Sequence, residues 1–546
     1  MTTISTDATT LALASVIVVV LVVRWKLRPP PPQLHPLLLG RQCLSTPTRL
    51  EHESPVYTTS NQSSTSVLRP DKAVRSLDDV LRGSLTCLEC GQRGAWVKGG
   101  EKLVDLVAAV RAGLVSKLGK GTGKVLVSVH DPTDALLVTL ALATSSHKPL
   151  VVSPGSELPN DEDVTAVVHS ATNALSASAF ATGPNATFIA LGGEGDSTAD
   201  DILATGKALV AAGEAEEVAK AEPTDVALTF FCDGVALDIP HVSLTSSLVS
   251  WLALFPGAPT STKPTIKDTI YTFHHPSTPY GLGLALLAAS TSASLLFPSL
   301  SSRAPSPEEV EVIFTTRTAP PATLLFASAE ILATPLYTLT LQKMLGDSSF
   351  IIRHARDGKV RLLREGSVSK QTFWDSLLFQ SVRKDLALHK VRAVVLSGST
   401  EQNKLELFRC ALGCPAASTL EHPFLLSPLS HGHLYDYQRL APPGLATSLN
   451  GKEQAHVGAP AVGVELKLRG DEGEIADGRM RGEVLLRSPV LPRPTTLPQS
   501  VVHTDESRPA LPPIPGTKQS SAEPVSQWFR TGVQAELAPE GVLFLV

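Results

Sequence analysis

The sequence predicts an α/β protein built on doubly wound parallel sheet, and three observations carry that reading. Short apolar runs of strand length recur at Val125–Val129, Pro149–Val152, Val164–His169 and Thr187–Leu191. Helical patterns at Lys102–Leu118 and Asp134–Ser145 are interleaved with them, and strands alternating with helices indicate parallel sheet covered on both faces. Composition agrees: of 546 residues 43% are hydrophobic and 18% charged, which supports a large buried core divided among two or more lobes.

The first element is an uncharged run, Ala8–Val23, closed by Arg24-Trp25-Lys26-Leu27-Arg28. It is shorter than the ~20 residues of a comfortable span, so a cleaved secretory signal is the rival reading. Such a signal carries positive charge ahead of its apolar stretch, whereas the only charge here is Asp7. We therefore expect a single transmembrane anchor with its basic flank over 1–28, and the positive-inside rule puts the remainder on the cytosolic side. Pro29–Pro32 form a stiff spacer within a proline-rich tether assigned to 29–72, whose Ser/Thr/Asn/Pro-rich part, Ser45–Pro70, is expected to lie along the surface.

Within the body, Gly119-Lys120-Gly121-Thr122-Gly123-Lys124 invites a phosphate-loop reading, but a helix precedes it and Val125 follows the lysine, so a helix C-cap and turn is expected. Tyr280–Phe297 is apolar enough to suggest a second span, yet Ser290, Thr291, Ser292 and Ser294 interrupt it, which favours a buried helix leading into a strand. Pro492–Pro524 holds eight prolines and reads as a mobile insertion. The α/β body is assigned to 73–456. A small β-rich subdomain takes 457–546, with a disordered insertion at 492–527.

The formal charge of −5 excludes the basic surplus needed to hold nucleic acid. Six scattered cysteines suggest a reducing compartment. Cys87 with Cys90, and Cys410 with Cys414, could be halves of a zinc site, but their spacing favours incidental thiols. His274-His275 and His431-Gly432-His433 with Asp436 read as polar loop residues rather than metal ligands, and no metal site is assigned. No Gly-x-Ser-x-Gly elbow supports a serine hydrolase.

Several colinear segments carry a resemblance. Asp225–Phe231 and the following Phe231-Cys232-Asp233-Gly234-Val235-Ala236-Leu237-Asp238-Ile239-Pro240-His241 are similar to a strand and a Tyr-Thr-Ser-Gly-Thr-Thr-Gly-x-Pro-Lys-Gly phosphate loop. Leu363-Arg364-Glu365-Gly366, Phe373–Phe379 and Val391–Gly398 follow, then Thr419–Phe424 at the place of a Gly-Tyr-Gly-x-Thr-Glu motif, and Trp528-Phe529-Arg530-Thr531-Gly532-Val533. In this order they resemble the AMP-forming acyl-CoA synthetases, the adenylate-forming family, in its long-chain fatty acid–CoA ligase subgroup. The resemblance runs from about Val125 to the end. It implies the family's large N-terminal domain, two doubly wound α/β subdomains plus a small β-rich one, with ATP, Mg2+ and CoA as cofactors if the family activity persists.

The motifs are degenerate. A triphosphate loop works through glycines that free backbone N–H groups, hydroxyl donors and a lysine. The resemblance leaves Asp233, Gly234, Glu421, Arg530 and Gly532 as remnants of a nucleotide site, with Leu237, Pro240, Phe424 and Val533 at positions the family fills otherwise. Pro240 takes the lysine's place, Asp233 and Asp238 add repulsion, and Val533 cannot accept a hydrogen bond from ribose. Glu421, three positions early, could replace the motif's glutamate only after a loop shift. Gly541–Val546 matches the strand before the family's hinge, so no C-terminal lid domain is expected. No catalytic residue is assigned.

The expectation is a membrane-anchored acyl-CoA-synthetase-like protein with impaired or no adenylation, facing the cytosol from the endoplasmic reticulum, with peroxisome or lipid droplet as alternatives. It would retain binding of fatty acid, acyl-CoA or a protein partner of unknown identity. Rival readings are an active ATP-dependent long-chain ligase with unconventional nucleotide-site residues, an incomplete gene product, and a lipid-sensing module.

Overall fold

A computed structural model describes residues 8–26, 32–47, 49–59, 68–89, 101–119, 121–153, 163–170, 187–191, 199–214, 220–232, 234–257, 262–298, 312–314, 321–329, 350–440, 453–471, 480–488, 493–494, 502–504 and 527–546, with 156, 159, 309, 475 and 491 singly between them. A first sheet has Lys124–Ser128 at its centre, between parallel Lys148–Val152 and Val164–Ser170. Thr187–Leu191 extends it on one side and Val226–Cys232 on the other. The crossover helix Pro132–Ala143 starts where Asp131 accepts the N–H groups of Thr133 and Asp134 ahead of a proline in the first turn. The glycine-rich stretch after Leu103–Leu118 is that helix's end: Gly119, at φ 81°, donates its N–H to Val115.

A second sheet aligns six parallel strands, in the order Cys87–Glu89, Ser294–Leu296, Thr269–Thr272, Leu324–Ser328, Ala393–Ser397 and Ala416–Leu420. Antiparallel pieces close both edges. The apolar stretch after Thr278 is a buried helix, Pro279–Thr291, feeding the strand Ser294–Leu296. A Cβ on Gly283 would fall 1.7 Å from the Leu426 carbonyl oxygen, so only glycine admits that approach. Helices Leu103–Leu118, His241–Ala253 and Pro279–Thr291 share one core with strands of both sheets.

The third sheet is antiparallel, in the order Cys43–Ser45, Tyr57–Thr59, Glu465–Arg469, Arg481–Arg487, Gln527–Leu537 and Val502–Thr504, with Leu543–Leu545 also on Gln527–Leu537. This corrects two expectations. Residues 43–59 are not a surface tether: they supply two strands, and Cys43, Glu53, Val56 and Tyr57 are buried. Their hydroxyl-rich sequence is tolerated because the strand pairing satisfies the backbone, while each strand buries its first residue, Cys43 or Tyr57, and leaves the next two at least partly open to water. The insertion at 492–527 is not wholly without structure, since Arg493–Pro494 pairs with Leu237–Asp238, Val502–Thr504 with Gln527–Phe529, and the long strand starts at Gln527. Its other residues lie outside the described ones.

At the N-terminus Ala8–Lys26 is a helix of 19 residues whose described side chains, 10–21, are exposed. Among the described residues no helix is long and apolar enough to cross a membrane. The Pro29–Pro31 part of the spacer lies outside the described residues.

Candidate functional site

Open parallel sheets bind ligands beyond the carboxyl ends of their strands. At that end of the second sheet the chain leaves Thr269–Thr272 through Phe273 and His274, and leaves Ala416–Leu420 through Glu421. His274 Nδ1 lies 3.4 Å from Glu421 Oε2, with the imidazole buried and the carboxylate partly exposed. Burial lowers the His274 pKa, opposed by Glu421 and the Ala327 carbonyl, so the ring is neutral at physiological pH. Its ring tilts on Tyr280 at 4.6 Å between centroids, and the Tyr280 hydroxyl is 2.9 Å from Thr419 Oγ1. Trp251 closes the floor, edge-on to Tyr280 and donating Nε1–H to Leu426 O at 2.8 Å.

The segment that resembles a phosphate loop is a tight hairpin. Val226–Cys232 pairs antiparallel with Val235–Pro240 in the register Cys232↔Val235, Phe231↔Ala236, Phe230↔Leu237 and Thr229↔Asp238. Only two residues connect the strands: Asp233, which lies outside the described residues, and Gly234, exposed at φ 78°. Leu237 is buried in the core, and the Asp238 carboxylate accepts the Thr229 hydroxyl at 2.6 Å across the ladder. Pro240 stands far from the tip, at the N-cap of helix His241–Ala253. A ladder of this kind commits the backbone groups that a phosphate cradle leaves free.

The two later segments of the resemblance meet. The Nδ1 atom of His422 accepts the Phe424 N–H, so Nε2–H is the donor to Thr531 O at 3.3 Å. Phe424 packs edge-on against the rings of His422 and Phe529. Thr531-Gly532-Val533 sits where the register between Arg481–Arg487 and Gln527–Leu537 shifts, with Gly532 at φ 70°. Val533 packs against the apolar core of the third sheet. Glu483 holds both Arg530 and Gly532 there: Oε2 takes Arg530 at 2.7 Å and Oε1 accepts the Gly532 N–H at 3.2 Å.

The structure therefore brings the segment of Glu421 and Phe424 against the strand that carries Arg530, Gly532 and Val533, through the Phe424–Phe529 and His422–Thr531 contacts, and leaves Leu237 and Pro240 within the hairpin and its helix cap. Sequence reasoning missed His274 as the partner of Glu421, and Glu483 as the carboxylate that holds Arg530. The nearest signal was a histidine two residues after a buried strand, close to the position where parallel sheets place functional groups. The other histidines separate: His275 donates to the His130 carbonyl, while Asp436 faces His456 and accepts from Gln42. Among the described residues no three His, Cys, Asp or Glu side chains gather to hold a metal.

No family model matches the sequence, and no curated protein matches it either. Solved structures do. The long-chain-fatty-acid-CoA ligase FadD1 from Archaeoglobus fulgidus superposes with a TM-score of 0.58 at 14% identity, over 88% of this chain and 85% of that one. A benzoate CoA ligase from Burkholderia xenovorans LB400 gives 0.55 at 13%, over 86% and 79%. The anthranilate CoA ligase AuaEII in complex with anthranoyl-AMP gives 0.56 at 13%, over 89% and 79%. The chain thus has the α/β fold of the AMP-forming acyl-CoA and aryl-CoA ligases.

Proposed function

We propose that this chain is a membrane-attached, long-chain acyl-CoA-synthetase-like protein in which adenylation is impaired or lost and binding of an acyl chain, acyl-CoA or a protein partner is retained. The observation that carries the reading is the closed hairpin at Cys232–Val235, where the ladder uses the backbone that would hold a triphosphate. The residues present do not fit ATP with Mg2+: Arg530 and the Gly532 N–H are already bound to Glu483, and the apolar Val533, half-buried, packs against the core of the third sheet. Losing two charge-assisted contacts of ~1.5–3 kcal/mol each weakens a nucleotide by two or more orders of magnitude.

Membrane attachment is assigned to the N-terminal helix, whose apolar side chains from Leu11 to Leu21 are 50–65% exposed. The basic flank after it supports a cytosolic body, with the endoplasmic reticulum as the membrane. Fatty-acid-dependent exchange of pyrophosphate into ATP tests the central claim. Purified full-length protein should give no exchange above a no-acid control for acyl chains of several lengths; robust exchange would show an active ligase with unconventional residues.

A further inference from the structure

Large apolar side chains left in water are informative when they gather. Phe350 is 80% exposed, Phe373 64% and Leu377 54%. Ring contacts join the first two: Phe350 stacks on His354, His354 meets the edge of Trp374, and Trp374 packs against Phe373. The helix beneath, Phe350–Arg364, reads FIIRHARDGKVRLLR, five cations against one acid in a chain of formal charge −5. Of the five, Lys359 turns inward onto Asp375, while Arg353, Arg361 and Arg364 are exposed with Phe350 and His354 on the outer face, where Asp357 and Glu365 are exposed as well and Arg361 pairs with Glu365, Arg364 with Glu406 and Arg356 with Asp357. Aromatic rings interleaved with guanidinium groups along one helix face suit the headgroup plane of an anionic bilayer.

The position of this face adds a second, independent argument. The chain arriving from the helix Ala8–Lys26 joins the body at the C-terminal end of Phe350–Arg364. There the Gln33 N–H donates to Gly366 O at 2.9 Å, its Nε2 to Val368 O at 3.2 Å, and Tyr437 donates to its Oε1 at 2.7 Å. Just beyond this junction Leu37 is 83% and Leu38 66% exposed.

We infer that the outer face of helix Phe350–Arg364, with Phe373 and Leu377, docks on the anionic bilayer that holds the N-terminal helix, so that the body lies against the membrane. The inference rests on the membrane attachment proposed above. Its test uses the full chain with phosphatidylcholine vesicles, with and without phosphatidylserine, scored by flotation and by amide hydrogen exchange over 350–379. The chain should float with both vesicles, and exchange over 350–379 should slow about tenfold on the anionic ones only. Each arginine at an anionic surface strengthens attachment about fivefold, so Arg353→Glu with Arg361→Glu should abolish the slowing while flotation persists. Phe373→Ser with Leu377→Ser should do the same.

Flotation without slowing would overturn the docking face and leave the anchor standing. Capture by anionic vesicles alone, with slowing, would remove the anchor and keep the face; no capture by either removes both. Slowing that grows with protein concentration in the absence of lipid would assign the face to a second copy of the chain and sink the inference.

Discussion

A single buried carboxylate holds together the region behind the proposed docking face. Asp375 sits 2.6 Å from Lys359 Nζ and 2.7 Å from Arg383, with all three side chains almost completely enclosed. Burial pushes the Asp375 pKa up, but Lys359, Thr372 and Arg383 together outweigh it and hold the group below its usual range. Removing one partner of a buried ion pair leaves an uncompensated charge, at a cost of about 3–5 kcal/mol. Asp375→Ala should therefore lower the unfolding free energy by that much; a change under ~1 kcal/mol would mean that water already screens the two cations. The histidines set the acid limit. Burial lowers the pKa values of His241, His274, His433 and His456, and brings His431 down to about 4. The folded state then binds fewer protons than the unfolded one, so their stabilising effect is complete above pH ~6.5 and is lost as pH falls toward the folded values. Asp375 adds its loss only below the ordinary aspartate range, near 3.8. Burial together with the neighbouring Asp131 raises the Asp134 carboxyl to about 8, a contribution of opposite sign that grows as pH falls, so the histidine loss is read in Asp134→Asn, whose melting temperature followed from pH 8 to 3 should fall first between about 6.5 and 4. A plateau through that window would rule out the neutral buried state.

At the scale of elements the hairpin Val226–Pro240 decides the functional reading, and its tip is testable. Gly234 lies at φ 78° with nothing within 4 Å of the place a Cβ would take, so Gly234→Ala introduces backbone strain without a clash. The expected cost is about 1 kcal/mol, measurable by chemical denaturation. A neutral result would mean the turn relaxes to another type and the ladder opens. That hairpin was not legible in the sequence, because aligning Phe231–His241 with a loop assigns residues to places without fixing which backbone groups pair. The helices and central strands were legible: Thr187–Leu191 has the bounds expected, and Pro132–Ala143 differs from expectation by two residues at each end. Their apolar periodicity is local. The pairs that build the candidate site are not, since His274 with Glu421 and His422 with Thr531 are about 150 and 110 residues apart in the chain. Residues 43–59 escaped for a related reason: short strands rich in serine and threonine look like a linker until their distant partners are known.

The molecule as a whole is closed by its two ends. Tyr57 pairs with Leu466, and Lys467 Nζ, 1% exposed, reaches back 2.6 Å to Glu53. Lys467 also lies over the face of Trp528, one residue ahead of the Phe529 that packs on Phe424. The third sheet and the candidate site therefore depend on residues that precede the α/β body, while the apolar helix at the N-terminus contributes no strand to that sheet. Two deletions separate these roles. Removing residues 1–31 should leave hydrogen-exchange protection of Glu465–Arg469 and Arg481–Arg487 unchanged. Removing residues 1–60 strips the Glu53 carboxylate from a buried lysine, a loss of about 3–5 kcal/mol from the charge alone, and exposes the Tyr57 face besides. Protection should then collapse across the third sheet and, through the His422–Thr531 contact, at the segment 421–424. Equal protection in the two deletions would show that the C-terminal strands hold themselves, and that the N-terminal strands only decorate their edge.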